Sequence, residues 1–131
     1  MLIIFKLKKC KNKTVKTISS YAFAYCDELK NITFSNNSFL EKINSYAFLN
    51  CKKLENIKIP NSVITIGTGA FASCTSFTKI EIPINVTSVG KKVFASIIFL
   101  EVYCCVESLP EGWQTTWLDG CFATVYWGYN E

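Results

Sequence analysis

The apolar positions of this chain recur at a long, nearly fixed interval. Residues 18–26 read Ile-Ser-Ser-Tyr-Ala-Phe-Ala-Tyr-Cys, and residues 43–51 read Ile-Asn-Ser-Tyr-Ala-Phe-Leu-Asn-Cys. Residues 66–74 read Ile-Gly-Thr-Gly-Ala-Phe-Ala-Ser-Cys, and residues 89–97 read Val-Gly-Lys-Lys-Val-Phe-Ala-Ser-Ile. Their Phe residues (Phe23, Phe48, Phe71 and Phe94) are 25, 23 and 23 residues apart. After each copy come Leu29, Leu54, Phe77 and Leu100, then Ile32, Ile57, Ile80 and Tyr103, then Phe34, Ile59, Ile82 and Cys105. The last two sets stand two residues apart, which predicts a short strand with one buried face. Pro60 and Pro83 follow two of these strands and end them, because proline cannot donate to a ladder. Leu40, Val63 and Val86 then lead back to the next Ile or Val, and Val15 does the same before Ile18.

A period in this range means stacked short units, a solenoid. One unit holds too few inward apolar residues to offset the entropy of ordering itself, so successive units must share buried surface and strand hydrogen bonds. The Ala-Phe-x-x-Cys-x-x-Leu stretch has i, i+3, i+6 spacing, which predicts one or two helical or 3₁₀ turns per unit. The predicted fold class is therefore an α/β repeat solenoid of short strands and short helical turns. The longer first interval comes from two extra residues within 35–39, just after a strand, where a turn absorbs them.

The 131 residues read as one domain. Residues 1–14 supply a first strand, with Leu2, Phe5 and Leu7 inward, and a basic loop. Residues 15–108 hold about four repeats, and residues 109–131 break the pattern. This last segment carries Trp113, Trp117 and Trp127 among Pro and Gly turn residues, with 123–127 as a final strand. It reads as an aromatic C-terminal cap, as terminal repeats require, with an aromatic ligand site as the alternative. Nothing polar covers the outer edge of the first strand, so end-to-end self-association through residues 2–7 is a second expectation.

Charge separates along the chain. The net charge is +4, from 14 basic and 10 acidic residues. Six of the 14 are Lys residues within the first 16 positions, ahead of the first acid, Asp27. From residue 17 onward eight Lys face ten acids. The chain has no Arg, the side chain suited to bidentate phosphate and base recognition, so the basic end reads as a solvated edge and no nucleic-acid partner is expected. No apolar run approaches the roughly 20 residues of a membrane span. Residues 1–5 are shorter than the about 7–15 apolar residues of a signal peptide, and Lys follows them instead of preceding them.

Catalysis has little to use. The chain has no His, which removes the commonest general base and the Ser-His and Cys-His pairings. Acids are scattered, and no glycine-rich phosphate loop ends in Gly-Lys-Ser/Thr. Without His or C-x-x-C, the common zinc spacings are absent as well, so neither metal nor cofactor is expected. Of seven Cys residues, Cys26, Cys51 and Cys74 share one slot, which Ile97 fills in the fourth copy, so they read as reduced core thiols. Cys10, Cys104, Cys105 and Cys121 are less constrained. A Cys104–Cys121 or Cys105–Cys121 bridge remains open, and an enzyme reading would rest on one of the last three as a reactive thiol.

These units resemble the BspA-like leucine-rich repeat, also called the Treponema pallidum-type repeat. Its 23-residue pattern is close to Ile-Gly-x-x-Ala-Phe-x-x-Cys-x-x-Leu-x-x-Ile-x-Ile-Pro-x-x-Val-x-x. Residues 66–88 fit it nearly throughout, with Phe77 in the Leu slot, and residues 43–65 fit as well. The first copy departs at Ser19 and by its insertion, the fourth at Val93, Ile97 and Cys105. The resemblance implies a right-handed solenoid, a non-enzymatic role, a cell-surface or secreted location, and adhesin-type binding of host or other cell-surface proteins.

The outward positions of the strands then form two columns on the expected concave face. One is Asn31, Asn56, Lys79 and Val102; the other is Thr33, Lys58, Glu81 and Cys104. Asn31, Thr33, Asn56, Lys58, Lys79, Glu81 and Val102 are the candidate protein-binding residues. The columns are mixed in charge and contain no aromatic anchor. The competing reading is a spacer or self-assembly unit of a longer repeat protein.

Overall fold

The computed structural model describes the backbone of residues 3–6 and, in full, residues 15–130. Leu2, Leu7, the Lys-rich loop and Cys10 lie outside the described residues. The chain forms a parallel β-solenoid of about five turns.

Among the described residues ten short strands occur in chain order: β1 (Ile3–Lys6), β2 (Thr17–Ile18), β3 (Leu29–Thr33), β4 (Lys42–Ile43), β5 (Asn56–Ile57), β6 (Thr65–Ile66), β7 (Lys79–Ile82), β8 (Ser88–Val89), β9 (Leu100–Cys104) and β10 (Ala123–Tyr126). All pairs are parallel. The sheets β1–β3–β5 and β7–β9–β10 form one flank, with β5 in contact with β7. β2–β4–β6–β8 forms the second flank, which Trp113 extends through a bridge to Val89. In β1, Phe5 stands in register with Ile32.

A third side joins the flanks: arcs at residues 20–26, 45–51, 68–74, 91–97 and 115–121. These are the stretches where the spacing predicts helical turns. Among the described residues no helix forms, so that expectation is corrected. Two features of the backbone exclude it. First, residues four apart adopt positive φ: Tyr21 and Tyr25, both 61°, Tyr46 at 58° and Asn50 at 62°, Gly69 and Ser73, both 60°, and Lys92 at 52° and Ser96 at 67°. A left-handed residue at each end of a four-residue step stops right-handed winding. Second, the arc amides are divided. Ala47, Leu49 and Cys51 donate within their own coil, to Asn44, Tyr46 and Phe48, as tight turns do. Tyr46, Phe48 and Asn50, lying between them, donate to the carbonyls of Thr68, Ala70 and Ala72 in the next arc at 2.8–2.9 Å. A helix would keep all of these donors for itself.

The close approach of arcs also explains Gly67. A Cβ there would lie 2.4 Å from the Ser45 amide nitrogen, so only glycine fits.

The inward slots line up coil over coil. Phe23 stacks on Phe48 at 5.2 Å between ring centroids, Phe48 on Phe71 at 5.3 Å and Phe71 on Phe94 at 5.8 Å, with rings within 9° of parallel. Phe48, Phe71 and Phe94 are fully buried. The Cys column lies beside them. Cys51 Sγ donates to the Phe23 carbonyl at 3.0 Å and Cys74 Sγ to the Phe48 carbonyl at 3.1 Å. Cys26, Cys51, Cys74, Cys104 and Cys121 are free thiols, and among the described residues no Cys104–Cys121 or Cys105–Cys121 bridge forms. The segment after residue 109 builds a further coil. Trp113 and Trp117 are buried in it at 5.0 Å, and Trp113 Nε1 donates to the Val86 carbonyl.

Phe71→Ala should lower unfolding stability by about 3–5 kcal/mol, because it empties a slot shared by three coils. Denaturant unfolding measures this; a loss under about 1 kcal/mol would contradict the shared stack.

Candidate interaction surface

The β1–β3–β5 and β7–β9–β10 flank carries the outward columns. Lys79 pairs with Glu101 and Glu81 with Tyr103 in the β7–β9 register, and Ile80 and Ile82 pair with Val102 and Cys104. Val102 and Cys104 are therefore inward, both 0% exposed, and the expectation that they face outward is corrected. The cause is a one-residue difference in spacing. Two residues separate Leu29 from Ile32, Leu54 from Ile57 and Phe77 from Ile80, but only Glu101 separates Leu100 from Val102. A one-residue slip in a strand exchanges its faces. The strict alternation of Leu100, Val102 and Cys104 is the signal in the sequence that marks the true register.

The outward columns are thus Asn31, Asn56, Lys79, Glu101 and Thr124 in one line, and Thr33, Lys58, Glu81, Tyr103 and Tyr126 in the other. The flank has an aromatic anchor after all. Tyr103 and Tyr126 stack at 4.8 Å, and Tyr129 meets Tyr103 edge-on at 4.9 Å. Lys79 Nζ stands over the Tyr103 ring, 4.6 Å from its centroid. The Tyr103 hydroxyl donates to Glu101 Oε2 at 2.8 Å. That bond, with burial adding to it, pushes the Tyr103 phenol up to about 12. At the other end of the flank, Asn31, Thr33, Asn56 and Lys58 come together along an open groove of about 800 Å³. Its lining also includes Ser35, Asn36 and Ser38, so the inserted residues of the first interval shape it.

Four of the described thiols, Cys26, Cys74, Cys104 and Cys121, are raised above the ordinary thiol range, which disfavours the thiolate at those positions. Burial, with Cys105 beside it, pushes Cys104 up to about 12, and burial raises Cys121. The Cys51 thiol and burial together raise Cys74. Among the described residues, no three Cys, Asp or Glu side chains come together in a way that could hold a metal ion, and no helix is long and apolar enough to cross a membrane.

Compared with known sequences, the chain matches the BspA type leucine-rich repeat region in six copies over residues 6–110. The chain belongs to this family. Its BspA-type repeats place it among leucine-rich repeat proteins, a group of interaction and repeat modules. A crystal structure of a leucine-rich repeat protein from Bacteroides ovatus is 32% identical over 78% of this chain, with a TM-score of 0.63. This chain spans 25% of that protein's length. No curated protein matches.

The Tyr103–Glu101 contact is expected to contribute stability fully below pH 10 and to lose it as the pH rises towards 12, since ionisation removes the donated proton. A pH titration of tyrosine absorbance should show one phenol ionising earlier in Glu101→Gln than in the wild type. Superimposable curves would contradict the bond.

Proposed function

We propose that this solenoid is a non-enzymatic protein-binding module of the cell-surface or adhesin type, which grips its partner with the flank formed by β3, β5, β7, β9 and β10. The observation that carries this reading is the outward tyrosine stack of Tyr103 and Tyr126, flanked by Lys79 and Glu101. Tyrosine concentrates binding energy at interfaces, because it offers large contact area and a polar tip at little entropic cost. Lys58 and Lys79, with Glu81 and Glu101, add both signs of charge beside it, which favours a polypeptide of mixed charge. Asn31, Thr33 and Asn56 supply hydrogen-bonding groups at the groove end. Family membership supports an interaction role, and the adhesin assignment rests on the resemblance.

The test compares two variants of the immobilised chain against proteins extracted from host-cell surfaces. Tyr126→Ala combined with Lys58→Glu should weaken capture of the bound protein by tenfold or more, about 1.4 kcal/mol. Thr17→Ala with Lys42→Ala, on the opposite flank, should leave capture unchanged. Equal capture by the first variant and the wild type, with thermal midpoints alike, would sink the assignment.

A further inference from the structure

Three large apolar side chains stand in solvent at one corner of the solenoid. Ile98 is 65% exposed, Phe99 81% and Phe122 78%. This corner joins each arc to the strand that follows it. In the first three coils it holds Asp27 and Glu28, then Lys52 and Lys53, then Thr75 and Ser76, all polar. The fold therefore does not require apolar residues there. The exposure of Phe99 is lateral, because its coil has a coil on either side, through β7 and β10. Phe122 donates its amide to the Ile97 carbonyl and accepts from the Leu100 amide, so it lies against the turn at Ile98 and Phe99. Contiguous exposed apolar groups of this kind mark contact sites.

The corner continues the tyrosine stack. Phe99 stands two residues before Glu101 and four before Tyr103; Phe122 stands two before Thr124 and four before Tyr126. The β9–β10 register pairs Glu101 with Thr124 and Tyr103 with Tyr126. Leu100, Val102 and Cys104, between the outward residues of β9, are buried. The two strands thus present one outward stripe: two Phe side chains, then Glu101 with Thr124, then two Tyr side chains. Four residues of strand set the Phe and Tyr groups about 13 Å apart.

Charge decides what the stripe fits. Residues 93–130 carry four acids, Glu101, Glu107, Glu111 and Asp119, and no Lys. Three of them follow the stripe, and all three are exposed. Asp119 lies three residues before Phe122, Glu101 between the aromatic groups, and Glu107 beside Gly128, past Tyr126. Lys79, on β7, is the stripe's basic neighbour, with its Nζ over the Tyr103 ring. Three carboxylates in line repel an anionic membrane or a nucleic acid and attract a cationic chain. A second copy of the same stripe would bring like charge against like.

We propose that the segment which a protein partner lays along β9 and β10 is extended and basic, with two large apolar side chains about 13 Å apart and a Lys or Arg between them. The apolar side chains pack on the corner of Phe99 and Phe122 and on the stack of Tyr103 and Tyr126. The basic side chain between them reaches Glu101. Every second residue of an extended chain faces one way, so apolar anchors four residues apart and a basic residue midway all fall on one side. The proposal rests on the reading of this flank as the binding surface and names the chemistry of what the flank holds.

The probe is a labelled synthetic peptide, Lys-Thr-Trp-Thr-Lys-Thr-Trp-Thr-Lys, whose alternate residues reproduce that order, with binding read by fluorescence anisotropy. It should bind with a Kd below about 0.1 mM in low salt, and at least threefold more weakly in about 0.5 M salt, where charge attraction is screened. Phe99→Ser with Phe122→Ser, both at exposed positions, should weaken binding at least tenfold and leave the thermal midpoint unchanged. Glu101→Gln should weaken it at least threefold. The same peptide with Glu in place of each Lys should not bind. No binding of the lysine peptide, equal binding of both peptides, or unchanged binding by the Phe variant would overturn the proposal. So would a preference for vesicles of phosphatidylcholine and phosphatidylserine that the Phe variant loses, since the corner would then be a membrane contact. The Phe variant also enters the capture experiment beside Tyr126→Ala with Lys58→Glu. Capture lost in the latter but kept in the Phe variant would overturn this proposal and leave the flank reading standing. Capture kept by both would sink the flank reading, and this proposal with it.

Discussion

The division of the arc amides governs this structure. Every second N–H closes a tight turn inside its coil, and those between them reach the next coil. A coil therefore cannot satisfy its own backbone, and buried unpaired amides are costly. The left-handed residues at Tyr46 and Asn50, and their equivalents, are what aim alternate amides outward. They carry a local conformational cost that persists only because the neighbouring coil holds the arc in place.

The aromatic and thiol columns follow from that spacing. Once arcs stack at hydrogen-bond distance, identical side chains must stack too, and Phe rings at 5.2–5.8 Å fill the column without a gap. The Cys slot is small, apolar and close to the preceding arc, which allows the thiols of Cys51 and Cys74 to donate to its carbonyls. Reduced core thiols are thus a consequence of packing, as the substitution of Ile97 in the fourth copy already implies.

Periodicity made the stack, its strands and its inward slots legible in the sequence. Two things were not legible in the same way. The arcs have helical spacing at Phe, Cys and Leu, but spacing alone does not show which neighbour an amide donates to, and Tyr21, Ser73 and Lys92 give no sign of positive φ. The register of β9 was hidden for another reason. Imposing the spacing of the earlier copies places Tyr103 and Cys105 inward, whereas the shorter step after Leu100 turns Val102 and Cys104 in and Tyr103 out. The anchor of the candidate surface went unseen through that single residue. By contrast, Asn31, Thr33, Asn56, Lys58, Lys79 and Glu81 stand on the expected flank.

Hydrogen exchange in the native state gives the most direct test of the account. The amides of Tyr46, Phe48, Asn50, Gly69, Phe71 and Ser73 should be protected as strongly as those of Ile80 and Val102 in the strands, and should open together with them. Exchange at those six arc amides at the rate of an unstructured chain, with the strands still protected, would contradict it.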